Sequence, residues 1–333
     1  MSEKILDIKD ERLSFFTPAG EVKALNGVSF TMNQGDVLGV VGESGSGKSV
    51  TAYSVMGLTA YPGKLVGGKV WFNGHEIENM KEKDFRKIRG NEVSIIFQDP
   101  MTSLNPVYTI GNQIVEVIRL HTDKNKADAW ARAKELLELV GINEPEKRLK
   151  QYPHELSGGM RQRVMIAIAL ACEPKLLIAD EPTTALDVTI QAQILELMND
   201  LRHKLGMSII MITHDLGVVA QMCEKIAVMY AGHIVEYGTT DEIFYNPQHE
   251  YTKGLINSIP KLNAEEKERL VPIEGQPVDL LNPPAGCPFA PRCKSCMKVC
   301  LNKMPPKTEL SDTHYTYCWL RQKEEFEKGG KAE

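Results

Sequence analysis

The sequence lacks any long apolar run. Its longest near-apolar stretch is Val164–Cys172, and a helix that spans a bilayer needs about 20 apolar residues. No segment is therefore expected to cross a membrane. Positive charge is not in excess either: 39 Lys and Arg stand against 44 Asp and Glu, a formal net charge of −5. A global field that recruits nucleic acid is thereby excluded, which leaves only a local basic patch open. Met1–Asp10 is mixed and charged and lacks the apolar core of a signal peptide. The chain is expected to stay in the cytosol. No internal repeat is visible.

What is present reads as an ordinary globular chain. Its 333 residues, 42% apolar and 25% charged, suggest about two domains and a core that needs no staples. Of seven cysteines, Cys172 and Cys223 sit alone in apolar or helical contexts. Both are expected to be small buried hydrophobes. The other five crowd between Cys287 and Cys318, and in a reducing cytosol such crowding suggests metal before disulfide.

Residues from about 5 to 75 are strand-rich. Val37–Val41 is a short apolar run before a glycine loop, Lys69–Phe72 alternates before the turn Asn73-Gly74, and Val50–Leu58 has helical character. Thr109–Leu120 and Lys126–Leu139 carry apolar residues at helical spacing, with Gly141 as a C-cap. These helices form an insertion, about residues 100–160, in an α/β core. The rhythm then returns: helix over Gly158–Ala171, strand over Leu176–Ala179, helix over Ile190–Leu205, strand over Ser208–Thr213. Buried β-branched runs alternating with helices imply a parallel sheet covered on both faces. From about Pro260 the chain is rich in proline, which leaves little room for long elements. This tail is expected to be a small separate module after a linker near Lys261–Arg269. Lys323–Glu333 is highly charged and is expected to fray.

The loop Gly42-Glu43-Ser44-Gly45-Ser46-Gly47-Lys48-Ser49 matches G-x-x-x-x-G-K-[ST], with an apolar strand before it and a helix after it. Glycines let the backbone wrap a phosphate with its N–H groups inward, and the helix start adds its positive dipole end. Lys48 is the point charge for the terminal phosphates, and the Ser49 hydroxyl a ligand for Mg²⁺. Mg²⁺ also needs a carboxylate. The apolar run Leu177-Ile178-Ala179 ends in Asp180-Glu181, at the sheet edge where open α/β folds bind ligands. Asp180 is the candidate for the Mg²⁺ shell, and Glu181 for the general base toward an attacking water.

The run Leu156-Ser157-Gly158-Gly159-Met160-Arg161-Gln162 resembles the signature of ATP-binding cassette proteins. Physically it is a second helix start suited to an anion. The resemblance implies an α/β fold, that of a P-loop NTPase cassette: a RecA-like mixed-sheet core, an antiparallel β subdomain and a helical subdomain. It implies a head-to-tail dimer, in which Ser157, Gly158 and Gly159 of one chain close over ATP held by Gly42, Ser44, Gly45, Ser46, Gly47, Lys48, Ser49 and Val50 of the other. It also carries roles onto matching positions. Gln98, in Ile95-Ile96-Phe97-Gln98-Asp99-Pro100, matches the glutamine that contacts Mg²⁺ and the membrane subunit. Asp187 matches the aspartate that crosses the dimer, and His214 the histidine that contacts the γ-phosphate. Glu181, His214 and Gln98 form the catalytic set. Phe16 is the candidate for stacking on adenine, with Phe15 as its neighbour.

A narrower resemblance covers nearly the whole chain. Phe97–Gln113, Gln151–Glu155, Tyr251–Leu255 and the cysteine tail are similar to the oligopeptide/dipeptide importer ATPases, with nickel importers as close relatives. Cys287, Cys293, Cys300 and Cys318 have the spacing C-x5-C-x6-C-x17-C, with Cys296 in addition. Four thiolates in a small module suit zinc or an iron–sulfur cluster, and no paired C-x2-C ribbon favours a zinc knuckle. The resemblance implies a [4Fe–4S] cluster on these four cysteines, Cys296 being a departure from the pattern. It divides the chain into a cassette, residues 1–258, and a cysteine-rich module, residues 259–333. It further implies a transport-coupled ATPase on the inner face of the cell membrane, with a second cassette subunit, two permease subunits and, indirectly, an extracytoplasmic peptide-binding protein. Soluble cassette proteins acting on ribosomes or DNA usually carry two cassettes or a long coiled-coil insert. This chain has neither.

Overall fold

A computed structural model describes residues 3–184, 186–259 and 272–329, with side chains described to residue 324. The linker expected near Lys261–Arg269 lies outside the described residues. The chain forms two compact units that interleave along the sequence. The first takes the chain up to Leu6, Thr31–Val37 and Trp71–Ile212; the second takes Asp7–Phe30, Leu38–Val70 and the chain from Thr213 onward.

Two long strands, β1 (Lys4–Thr17) and β2 (Gly20–Asn33), open the chain. They precede β3 (Val37–Val41), the helix α1 (Lys48–Val55) and β4 (Gly63–Phe72). The helix expected over Val50–Leu58 starts at Lys48 and stops at Val55, because Gly57 turns the chain at φ 60°. In the second unit β2, β1 and β4 are neighbours in that order. In the first unit the end of β4 turns at Asn73-Gly74 into β5 (His75–Glu76), with Trp71 opposite Glu76.

The rest of the first unit alternates helices and strands. It contains α2 (Glu82–Ile88), β6 (Val93–Ile96) and the helical insertion: α3 (Pro100–Ser103), α4 (Ile110–His121), α5 (Lys126–Leu139), α6 (Pro145–Arg148) and α7 (Gly158–Ala169). Side-chain caps set several helix starts: Thr109 caps α4 and Asn125 caps α5. Then come β7 (Leu176–Asp180), α8 (Val188–Leu205) and β8 (Ser208–Thr213). Strands β6, β7 and β8 are parallel, with Val93 opposite Leu176 and Leu176 opposite Ser208. Every residue of β7 and β8 is buried, as expected for a parallel sheet covered on both faces.

The second unit continues with α9 (Leu216–Met222), β9 (Lys225–Tyr230), β10 (His233–Thr239), α10 (Thr240–Tyr245) and α11 (Glu250–Asn257). Its tail adds α12 (Lys298–Asn302), β11 (Thr308–Glu309), β12 (Tyr315–Thr316) and α13 (Trp319–Gly329). Here β3 is parallel to β9, whereas β10 is antiparallel to β9 and to β12, so this sheet is mixed.

Three expectations about the cysteines and the tail need correction. The tail is not a module standing apart: β12 pairs with β10, with Glu236 opposite Thr316 and Tyr237 opposite Tyr315. The charged end is helical to Gly329, since Glu and Lys are good helix formers. Its start is anchored by Trp319, whose Nε1–H donates to the Lys303 carbonyl at 2.9 Å. Cys223 is buried as expected, but Cys172 is only half-buried.

Glu236 ties the tail down. This side chain is 0% exposed. It accepts from the Gln248 and His249 N–H groups at 2.7 and 2.8 Å and bonds His314 Nε2 at 2.8 Å. Glu236→Ala leaves two buried partners, at His249 and His314, and the half-buried Gln248 N–H without this acceptor, and is expected to cost about 3 kcal/mol. The urea midpoint of the full chain checks this; a loss below about 0.5 kcal/mol, the range of an ordinary surface change, would contradict it.

Candidate functional site

The glycine loop lies in the second unit between β3 and α1. Gly42 is required there by sterics, because a Cβ would meet the Met229 carbonyl oxygen at 2.2 Å. The loop closes on itself: Lys48 Nζ donates to the Gly42 and Glu43 carbonyls at 2.8 and 2.9 Å. Helix α1 starts at Lys48 after Gly47 as N-cap, with no side-chain cap, so its first N–H groups are left for an anion. Ser44 and Gly45 are exposed, whereas Ser46 and Lys48 are buried and Ser49 and Val50 half-buried.

Glu43, the second residue of the loop, has every polar group engaged. Its N–H donates to Tyr251 Oη at 2.8 Å. Its carbonyl accepts from Lys48 Nζ and from the Ser46 N–H. Its carboxylate takes a two-pronged bond from Arg292, at 2.6 and 3.0 Å. The Arg292 side chain is 4% exposed. Its guanidinium also donates to the Tyr230 hydroxyl and to the Ile273 and Glu274 carbonyls. The Glu43 bond pushes the Arg292 pKa up. Arg292 and Tyr251 were not singled out as site residues from the sequence. A partner 249 positions away leaves no local signal.

The acidic strand end lies in the first unit. Asp180 closes β7, buried. Glu181 follows at φ 49°, a left-handed backbone that a non-glycine residue adopts at a cost of about 1–3 kcal/mol and that clusters at functional sites. Its Oε2 accepts from Gln98 Nε2 at 2.7 Å and from Thr184 Oγ1 at 3.0 Å. The structure thus joins two sequence-predicted residues, 83 positions apart.

The signature helix starts in the same unit. Ser157 caps α7 through the Met160 N–H, and Asp187 caps α8 through the Ile190 N–H. The two starts are neighbours: a Cβ on Gly159 would lie 2.9 Å from Ile190 Cγ2. His214 is in the second unit, exposed, directly after β8. Phe16 presents an exposed ring, 45% accessible, with Lys64 Nζ 5.9 Å from its centroid. Phe15 is the half-buried neighbour, packed against Gly63.

Cys287, Cys293, Cys300 and Cys318 line one cavity with His249, Phe289 and Trp319. Burial pushes the Cys287 thiol up to about 12 and the Cys293 thiol up to about 11. Cys296 is exposed and outside that lining. Among the described residues, no group of three or more His, Cys, Asp or Glu is disposed to hold a metal ion. The expected iron–sulfur module is therefore not shown. The structure shows four thiols sharing a cavity.

Comparison with known proteins places these motifs. Residues 25–184 match the ABC transporter family, and residues 235–300 match the oligopeptide/dipeptide transporter C-terminal region. The chain is 56% identical over 318 residues to the oligopeptide transport ATP-binding protein OppD of Bacillus subtilis (strain 168), covering 95% of this chain and 89% of that protein. It is 52% identical over 320 residues to the dipeptide transport ATP-binding protein DppD of the same organism, covering 96% and 95%. Among solved structures, a dimeric ATP-binding cassette, MJ0796, in a post-hydrolysis state with ADP and Pi, superposes with a TM-score of 0.64 at 26% identity. That match covers 71% of this chain and 99% of that one.

Fold and motifs thus define an ATP-binding cassette ATPase, the class that couples ATP hydrolysis to transport. More narrowly, the chain belongs to the family of oligopeptide and dipeptide transport ATP-binding proteins. No described helix is long and apolar enough to cross a membrane.

The loop geometry makes one site prediction. Gly42→Ala drives a methyl group into the Met229 carbonyl; it is expected to destabilise the chain by about 1–3 kcal/mol and to abolish MgATP binding. Denaturant melts and equilibrium nucleotide binding test both; a variant that binds as the parent does would contradict the steric reading.

Proposed function

We propose that this chain is the motor subunit of an importer for dipeptides or oligopeptides, working at the inner face of the cell membrane. The observation that carries its hydrolytic role is the Glu181 carboxylate, held at the end of β7 by Gln98 and Thr184. A general base must be positioned before it can take a proton from water. Named relatives support the substrate class: the two Bacillus subtilis proteins are called oligopeptide and dipeptide transport proteins. Nickel import is the neighbouring reading; action on ribosomes or DNA is the distant one.

In this reading Gly42–Ser49 with Val50 cradles the phosphates of ATP, Lys48 meets the terminal ones, and Phe16 stacks on adenine. Ser49, Gln98 and Asp180 offer the hard oxygens that suit Mg²⁺. Bound there, Mg²⁺ neutralises charge on the β- and γ-phosphates. Glu181 takes the proton of the attacking water, and His214 contacts the γ-phosphate. Ser157, Gly158 and Gly159, with Asp187, complete the site of a partner cassette. The partner is a second, different cassette subunit, or a second copy of this chain. Two permease subunits receive the motion near Gln98, and an extracytoplasmic binding protein delivers the peptide to them.

The domain reading is a cassette over residues 1–258 and a cysteine-rich part over residues 259–333. Cys287, Cys293, Cys300 and Cys318 are the residues for a [4Fe–4S] cluster, or for zinc. Support comes from their spacing, their shared cavity and the small core of so proline-rich a segment. Protein purified without oxygen is expected to be brown, with broad absorbance near about 400 nm. Colourless protein with stoichiometric zinc would overturn the cluster in favour of zinc.

Replacing Glu181 with Gln keeps the side-chain shape and removes the base. MgATP should still bind while turnover falls by about 10²–10⁴-fold, read from single-turnover hydrolysis. Undiminished hydrolysis would refute the general-base role.

A further inference from the structure

The phosphate loop carries a clamp from a distant part of the chain. Glu43 is held by two residues that no glycine-loop motif contains. Arg292 grips its carboxylate at 2.6 and 3.0 Å, and Tyr251 Oη accepts its N–H at 2.8 Å. Both gripping residues are themselves fixed. Arg292 makes five hydrogen bonds in all, to Glu43, the Tyr230 hydroxyl and two carbonyls. Tyr251 is buried in a ring cluster, with centroids 4.7 Å from Tyr230 and 5.3 Å from Phe289. The Glu43 carbonyl, in turn, accepts from Lys48 Nζ, as does the Gly42 carbonyl. The chain of contacts therefore runs from Arg292 and Tyr251, through one residue, to the ammonium of the loop.

We propose that Arg292 and Tyr251 are positioning residues for the phosphate loop: they fix Glu43 and, through its carbonyl, the place of Lys48. A two-pronged guanidinium–carboxylate bond, mostly buried, sets orientation as well as distance. Preorganising the loop cuts the ordering cost of nucleotide binding, so the clamp acts on affinity more than on the chemical step. This deepens the reading of Gly42–Ser49 as an ATP loop and rests on it.

The test measures Kd, KM and kcat for MgATP in the full-length chain. Arg292→Gln is expected to raise Kd and KM by about tenfold, with kcat changed far less. Arg292→Lys should recover part of the loss, and Tyr251→Phe should raise KM by about threefold. Glu43→Gln should raise KM in the same direction, and the double variant should be no worse than Arg292→Gln, since both changes break the Glu43–Arg292 contact. A merely structural role predicts a lower melting temperature with unchanged KM in the folded fraction, and additive losses. If folded Arg292→Gln keeps KM within twofold of the parent, the positioning role is overturned. Lys48→Ala separates the two claims: if it binds MgATP as the parent does, the ATP-loop reading itself fails.

Discussion

The bond between Arg292 and Glu43 ties the phosphate loop to the tail of the chain. An ammonium can approach phosphate from many directions, and Lys48 has a long, flexible stem. Two loop carbonyls hold its head, and one of them belongs to Glu43. The guanidinium that grips Glu43 comes from the turn that leads into Cys293. One charged pair thus reaches from the cysteine-lined cavity to the loop. Its desolvation cost is offset only because the geometry is two-pronged and every remaining guanidinium N–H finds an acceptor.

The first unit solves a parallel problem with fewer charges. Strand β7 is buried along its whole length, so its carboxylate end emerges from a rigid sheet. Glu181 leaves it in a left-handed conformation and is caught by an amide from Gln98 and a hydroxyl from Thr184. The helix starts at Ser157 and Asp187 are packed on each other through Gly159 and Ile190. The helix start at Ser157 is thus carried on the same unit as the acidic strand end.

The elements with strong apolar patterns were the legible ones. Strand Val37–Val41, helix Lys126–Leu139 and strand Ser208–Thr213 match their apolar patterns to the residue, because periodicity over a buried face is a strong signal. Gly42–Ser49 was legible because it matches G-x-x-x-x-G-K-[ST] between an apolar strand and a helix. What escaped was set by long-range pairing. Strand β12 is two residues long and owes its place to β10, so no local pattern announces it. Helix α13 hid in a charged end whose residues are good helix formers. The cysteine spacing suggested a ligand set, and the structure returned thiols around a common cavity without that disposition.

The central claim is that each nucleotide needs two chains, one offering Gly42–Ser49 and the other the helix start at Ser157. The direct measurement is the ATPase rate per chain of the purified full-length protein as a function of its concentration, with and without a partner cassette subunit. The account predicts a rate per chain that climbs with concentration, or on adding the partner, until the dimer saturates. A full rate per chain that stays constant on dilution to the monomer would contradict it.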